Sequence, residues 1–173
     1  MRNVFHYHIT IEGITTYELK VLAKELKAKP TTIDLYTDIR NQRDRMVTKY
    51  SNSFRDIRAA MFKDVEYVKE AGFKVIRAKI EQVTDKFTFS NYALYSEAHI
   101  KVVDGPLPDI ENLHLSSNPV EGRRFYNARA YSSEEFEAAV GALDMVEDPI
   151  SEQYEVCLFD SNMAHDDWWT DGT

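Results

Sequence analysis

The order of apolar patterns in residues 5–80 returns in residues 98–160, and this repetition constrains the fold more than any single motif. Phe5, Tyr7, Ile9 and Ile11 alternate with His6, His8, Thr10 and Glu12, the period of a half-buried strand. Residues 15–29 read as a helix with Leu19, Leu22, Ala23 and Leu26 on one stripe and a stop at Pro30. Residues 32–36 form a short second strand, and a charged loop with Arg40, Arg43 and Arg45 leads to a third at 46–50. Ser53 caps a long helix with Phe54, Ile57, Met61, Val65 and Val68 on one side, ended by Gly72. Residues 73–80 are the fourth strand, which completes a βαββαβ order.

The second half follows the same plan. Residues 98–103 are strand-like up to Asp104-Gly105-Pro106, a short, degraded helix covers 109–114, and 124–131 is the next strand. Ser132 and Glu135 form a capping box for a helix carrying Phe136, Ala139, Val140 and Leu143, and residues 154–160 close the unit. Tyr50-Ser51 matches Tyr131-Ser132 and Phe73 matches Tyr154 at an offset of 81, while His8 matches His99 at 91. The expected fold is α+β: two fused ferredoxin-like βαββαβ units from an internal duplication, with antiparallel sheets and helices on one face of each. The first unit spans 1–81, a connection 82–95, the second, degenerate unit 96–160, and an acidic Trp-containing tail 161–173.

A chain of 173 residues buries enough surface to fold without a disulfide or a structural metal. No run of 18 apolar residues spans a membrane, and the first residues lack an apolar signal core. Cys157, the single cysteine, excludes an internal disulfide and reads as a buried inert thiol, which suits a cytoplasmic location. The net charge of −8 is uneven: nine acids and no Lys or Arg follow Leu143, so the rest of the chain carries +1. That excludes a general nucleic-acid binder with a basic face. The acidic tail reads as a solubilising edge, or as a surface for a protein partner, with Trp168 and Trp169 folded back over the body.

In this layout His8 and Thr10 lie on the uncovered sheet face of the first unit, and His99 and Lys101 on that of the second. Two imidazoles converging on one cleft suit acid–base chemistry at a phosphate, one taking a proton and the other giving one. Arg40, Arg43 and Arg45, and Arg123, Arg124 and Arg129 at the matching place, supply positive charge; Arg43, Arg124 and Arg129 are the expected substrate-binding residues.

His8-Ile9-Thr10 and His99-Ile100-Lys101, in a duplicated layout, resemble the paired His-x-Thr/Ser motifs of the two-histidine phosphoesterases. The second motif departs from that family, with Lys101 where a hydroxyl residue stands. The resemblance implies a metal-independent phosphoesterase acting on an RNA-derived or cyclic nucleotide phosphodiester. His8, His99, Thr10 and Lys101 would be its catalytic residues, a nucleotide or short oligonucleotide its ligand, and it would have no cofactor. The alternative is a non-catalytic binding or inhibitor protein that sequesters a nucleotide or blocks a protein partner. His8 and His99 also read as ordinary polar residues on an exposed sheet face. His6-x-His8 is half a metal site, but no third ligand at a suitable spacing completes it, so no metal is expected. His114 and His165 fall in loops without evident partners. No glycine-rich phosphate loop or nucleophile elbow is present.

Overall fold

A computed structural model of the chain describes residues 3–36, 41–163 and 165. The elements follow in the order β1 (Phe5–Glu12), α1 (Thr16–Leu26), β2 (Lys29–Tyr36), β3 (Asn41–Ser51), α2 (Phe54–Glu70), β4 (Lys74–Thr84), β5 (Tyr95–Val102), β6 (His114–Asn118), β7 (Arg123–Ala130), α3 (Ser133–Leu143) and β8 (Ser151–Asp160). The strands hydrogen-bond in one closed order, β1-β3-β2-β6-β7-β5-β8-β4.

Closure overturns the expected fold. Two ferredoxin-like units with open antiparallel sheets do not describe this chain; its eight strands form a closed barrel with three helices. The physical reason lies at the strand edges. An open sheet leaves a row of unpaired N–H and C=O groups on each outer strand, and closing the sheet removes those edges. β2 runs on to pair with β6, placing Asp34 opposite Ser117 and Leu35 opposite Ser116. Beyond β8, Ser161 bonds back to β4, its N donating to the Ala78 carbonyl at 3.0 Å and its Oγ accepting from the Ala78 N at 2.8 Å.

Two local expectations also change. No helix covers 109–114: the segment turns instead, with Asn112 at φ 70° and Leu113 N donating to the Ile110 carbonyl at 3.1 Å, and His114 opens β6. Arg43 and Arg45 are not in a loop but inside β3, which starts at Asn41. Arg40, Trp168 and Trp169 lie outside the described residues.

The chain divides into two compact units: the described residues of Met1–Thr32, Asp44–Val83 and Leu158–Thr173 form the first, and those of Ile33–Arg43 and Thr84–Cys157 the second. In the first, Tyr7, Ile9 and Ile11 of β1 and Ala78 and Ile80 of β4 are buried with Leu19, Leu22, Ala23 and Leu26 of α1 and Ile57, Met61 and Val68 of α2. The helices are where their caps put them. Thr15 and Glu18 form a reciprocal capping box at the start of α1, and Lys27 ends that helix in a left-handed conformation, earlier than Pro30 would. In the second unit Ala98, Ala128 and Ala139 pack together, and Ile100, Val102, Ile110, Tyr126 and Ala142 make a neighbouring cluster. The three alanines let α3 come close to β5 and β7, with Ser132 capping the helix as its pattern predicts.

Arg77 on β4 and Asp160 at the end of β8 form a bidentate pair, Nε to Oδ1 at 3.0 Å and Nη2 to Oδ2 at 2.6 Å, both side chains nearly inaccessible. Removing one member of such a pair strands a buried charge, at a cost of about 3–5 kcal/mol. We expect Asp160→Ala to lose stability of that order in urea unfolding. A loss below about 1 kcal/mol would show that the pair does not hold the end of β8 to β4.

Candidate functional site

The alternation of β1 decides which side chains meet. With Tyr7 and Ile9 turned to the helices, His6, His8 and Thr10 share the opposite face, and β1 runs antiparallel between β3 and β4. Register sets His6 against Tyr50 and Glu81, His8 against Thr48 and Lys79, and Thr10 against Met46 and Arg77. The His8 Nε2 is 3.1 Å from Glu81 Oε1 and its Nδ1 is 2.7 Å from Thr48 Oγ1. The His6 Nε2 is 3.7 Å from the same Glu81 oxygen, and the two imidazole rings meet edge to face at 4.5 Å. Lys79 Nζ stands 3.5 Å from Glu81 Oε2. The face expected to lie open is closed: His6 is 2 % and Thr10 3 % exposed, and the side chains of Glu81 and His8 are 1 % and 19 % exposed.

The second unit repeats the construction with different residues. β5 runs between β7 and β8, so Glu97 faces Arg129 and Glu155, His99 faces Asn127 and Gln153, and Lys101 faces Phe125 and Ser151. The His99 Nδ1 is 2.6 Å from Asn127 Oδ1 and its Nε2 2.7 Å from Glu155 Oε1. Arg129 donates to Glu97 at 3.0 Å and lies 4.4 Å over the Tyr95 ring. By register, His8 corresponds to His99, Thr48 to Asn127, Glu81 to Glu155 and His6 to Glu97.

Those exchanges set the protonation of each histidine. Asn127 Nδ2 donates to the His114 carbonyl at 3.0 Å and to Ser116 Oγ at 2.7 Å, which turns its amide oxygen toward His99. An amide oxygen on one ring nitrogen and a carboxylate on the other both demand a donor, so His99 is an imidazolium. Burial alone lowers its pKa, but the Glu155 hydrogen bond, the charges of Glu155 and Glu97 and the Asn127 contact outweigh burial and raise it to about 9. His8 is the reverse. Burial and the neighbouring His6, with Lys79 adding, lower its pKa against the pull of Glu81, and the Thr48 hydroxyl can donate as well as accept. His8 is a neutral ring.

Among the other expected site residues, Arg43 is tied to Asp34 through Nε at 2.6 Å and Nη2 at 2.8 Å. Arg129 is buried on Glu97, Arg123 pairs with Glu121 at 3.4 Å, and Arg124 donates to the Gly105 carbonyl at 2.6 Å. Arg124 and Arg123 line a polar surface depression of about 320 Å³ with Ser117 and Asn118, and His99 is not part of its wall. Thr10 and Lys101 lie two residues beyond their histidines on the same strand faces. His165 Nε2 meets Asp44 at 3.1 Å. Glu81, Glu155, Thr48 and Asn127 were not singled out by sequence. Lys79 and Glu81 carried a period-two signal, but only register shows which strand they face.

No known family model matches the chain, and no curated protein is detectably similar to it. The likeness to two-histidine phosphoesterases rests on the two short motifs alone. No helix among the described residues is long and apolar enough to cross a membrane.

The raised pKa of His99 carries a sign. A cation favoured by the fold stabilises it fully below about pH 6.5, and that contribution fades as pH rises through about 9. We expect the melting temperature to fall over this range by on the order of 5 °C, since 1 kcal/mol moves a domain of this size by about 2–4 °C. Glu155→Gln, which removes the main partner, should flatten the slope. An equal slope in both proteins would refute the assignment.

Proposed function

We propose that the protein is a metalloprotein that holds one divalent transition-metal ion on His6, His8 and Glu81 and uses it as a Lewis acid in hydrolysis. The observation that carries this reading is the approach of three ligand atoms, from two neighbouring strands, to within 4.8 Å of one another. Ligands about 2.1 Å from a tetrahedral zinc ion stand roughly 3.4 Å apart, and the separations of 3.1 and 3.7 Å around Glu81 Oε1 bracket that spacing. Two imidazoles and one carboxylate suit zinc or a similar borderline ion, and three protein ligands would leave a fourth position for a water molecule. An ion held by His6, His8 and Glu81 would supply Lewis-acid activation of a water molecule. The cluster Glu97, His99 and Glu155 also falls within that spacing, but its histidine is a cation and Arg129 neutralises Glu97. Metal is expected at the first cluster only.

Substrate class comes from the family resemblance, which points to RNA-derived or cyclic nucleotide phosphodiesters. A second reading keeps the metal-free reaction, with His8 as the base and His99 as the acid. The opposite protonation of the two histidines favours it. Against it, each ring already has both nitrogens hydrogen-bonded within its own unit.

Calorimetric titration of chelator-stripped protein with Zn²⁺ should give one site per chain. His8→Ala and Glu81→Ala should each weaken it at least 100-fold, and His99→Ala should leave it intact. Saturation at zero sites, or an unchanged site in both ligand variants, would sink the reading. Turnover of a panel of linear and cyclic phosphodiesters should need the metal. Turnover that persists in chelator and is lost in both His8→Ala and His99→Ala would establish the metal-free reaction instead. Metal bound without turnover would leave a binding protein.

A further inference from the structure

We propose that Thr48 is the positioning residue that makes His8 able to take the metal. The inference rests on the metal reading above and concerns how that site is built. A histidine that binds metal through Nε2 must carry its proton on Nδ1, and the group hydrogen-bonded to Nδ1 fixes the tautomer. Without metal, the Glu81 carboxylate 3.1 Å from Nε2 accepts only, so the His8 proton sits on Nε2. Nδ1 then accepts from the Thr48 hydroxyl at 2.7 Å. When the ion takes the Nε2 lone pair, the proton must move to Nδ1, and the partner there must become an acceptor. A hydroxyl can reverse in this way by rotating about its C–O bond, with no heavy atom displaced.

The second unit supplies the contrast. Asn127 holds the place of Thr48, opposite His99 in register. Its amide is locked by donation to the His114 carbonyl and Ser116 Oγ, so the oxygen facing His99 accepts and cannot donate. A partner that only accepts on Nδ1, with a carboxylate on Nε2, leaves the ring two protons and no lone pair for an ion. Beside the different charges around each histidine, the residue on the neighbouring strand thus sets whether Nδ1 meets a reversible hydroxyl or a fixed acceptor. Thr48 is buried on β3 and opposite His8, so its hydroxyl is held where the reversal is needed.

The test uses the full chain and Zn²⁺. Nitrogen-15 NMR of the histidine rings should show His8 protonated on Nε2 in chelator-stripped protein and on Nδ1 after Zn²⁺ is added. Thr48→Val keeps the shape and removes the hydroxyl, and should weaken Zn²⁺ binding about 10- to 100-fold. Thr48→Ser restores a hydroxyl and should bind within about threefold of the original protein. Thermal melts of the stripped variants separate loss of the ligand orientation from loss of the fold. Equal Zn²⁺ affinity in Thr48→Val and the original, or an Nδ1 proton already present before Zn²⁺, would overturn the role of Thr48 while leaving the metal site standing. An original protein that binds no Zn²⁺ would overturn both. If Thr48→Val does not fold, Thr48→Ala removes the hydroxyl in its place, with the same expected loss of Zn²⁺ affinity and the same outcome overturning the role.

Discussion

Glu81 and Glu155 are carboxylates held almost entirely out of water, and the polar interior of each unit is arranged around that fact. An ionised carboxylate in such a place must find donors or cations, because its desolvation costs several kcal/mol. In the first unit the donors come from β1 and β4 themselves, as His8, His6 and Lys79. In the second, His99 covers Glu155 while Arg129 covers Glu97. The same acid at the same register position thus meets a neutral His8 in one case and a cationic His99 in the other. On the reading proposed above, that difference would leave the first cluster open to a metal ion, while the second holds its charge internally.

The surrounding core makes this arrangement firm. Tyr7 points from β1 into the helix-covered layer, where its hydroxyl donates to buried Asp64 at 2.5 Å and Lys49 meets the same carboxylate at 2.7 Å. Burial and Asp64 raise the pKa of that phenol, which keeps it a donor. β1 is therefore fixed from both faces, by the Tyr7–Asp64 hydrogen bond and apolar packing on one side and by the histidine cluster on the other.

What could be read from the sequence followed local rules. The alternation of residues 5–12, the caps at Ser53 and Ser132 and the Phe136–Leu143 stripe each depend on neighbours within a few positions, and those elements are present. Offset alone matches His8 to His99, and register gives them corresponding places with different partners, Thr48 and Asn127. The closure of the strands was not legible, because no local pattern states which edge Asp34 or Ser161 will pair with. The site was half legible for the same reason. His6 and His8 announce themselves two residues apart, but Glu81 lies far along the chain and reaches them only through the antiparallel register of β4. The vanished helix near 109–114 failed on backbone chemistry: two prolines and a left-handed Asn112 left a turn where an apolar pattern suggested a helix.

β8 belongs to both compact units, with Cys157 the last residue of one and Leu158 resuming the other. A polypeptide leaves the ribosome from its N-terminus, so β1, α1, α2 and β4 emerge long before the residues that complete their unit. Phe159, which packs on Phe62 at 6.0 Å, and Asp160, which answers buried Arg77, arrive only after the whole second unit has been made. Until then Arg77 has lost that carboxylate and the outer edge of β4 lacks the bonds from Ser161. The first unit is accordingly complete only once a strand some eighty residues beyond β4 has been made.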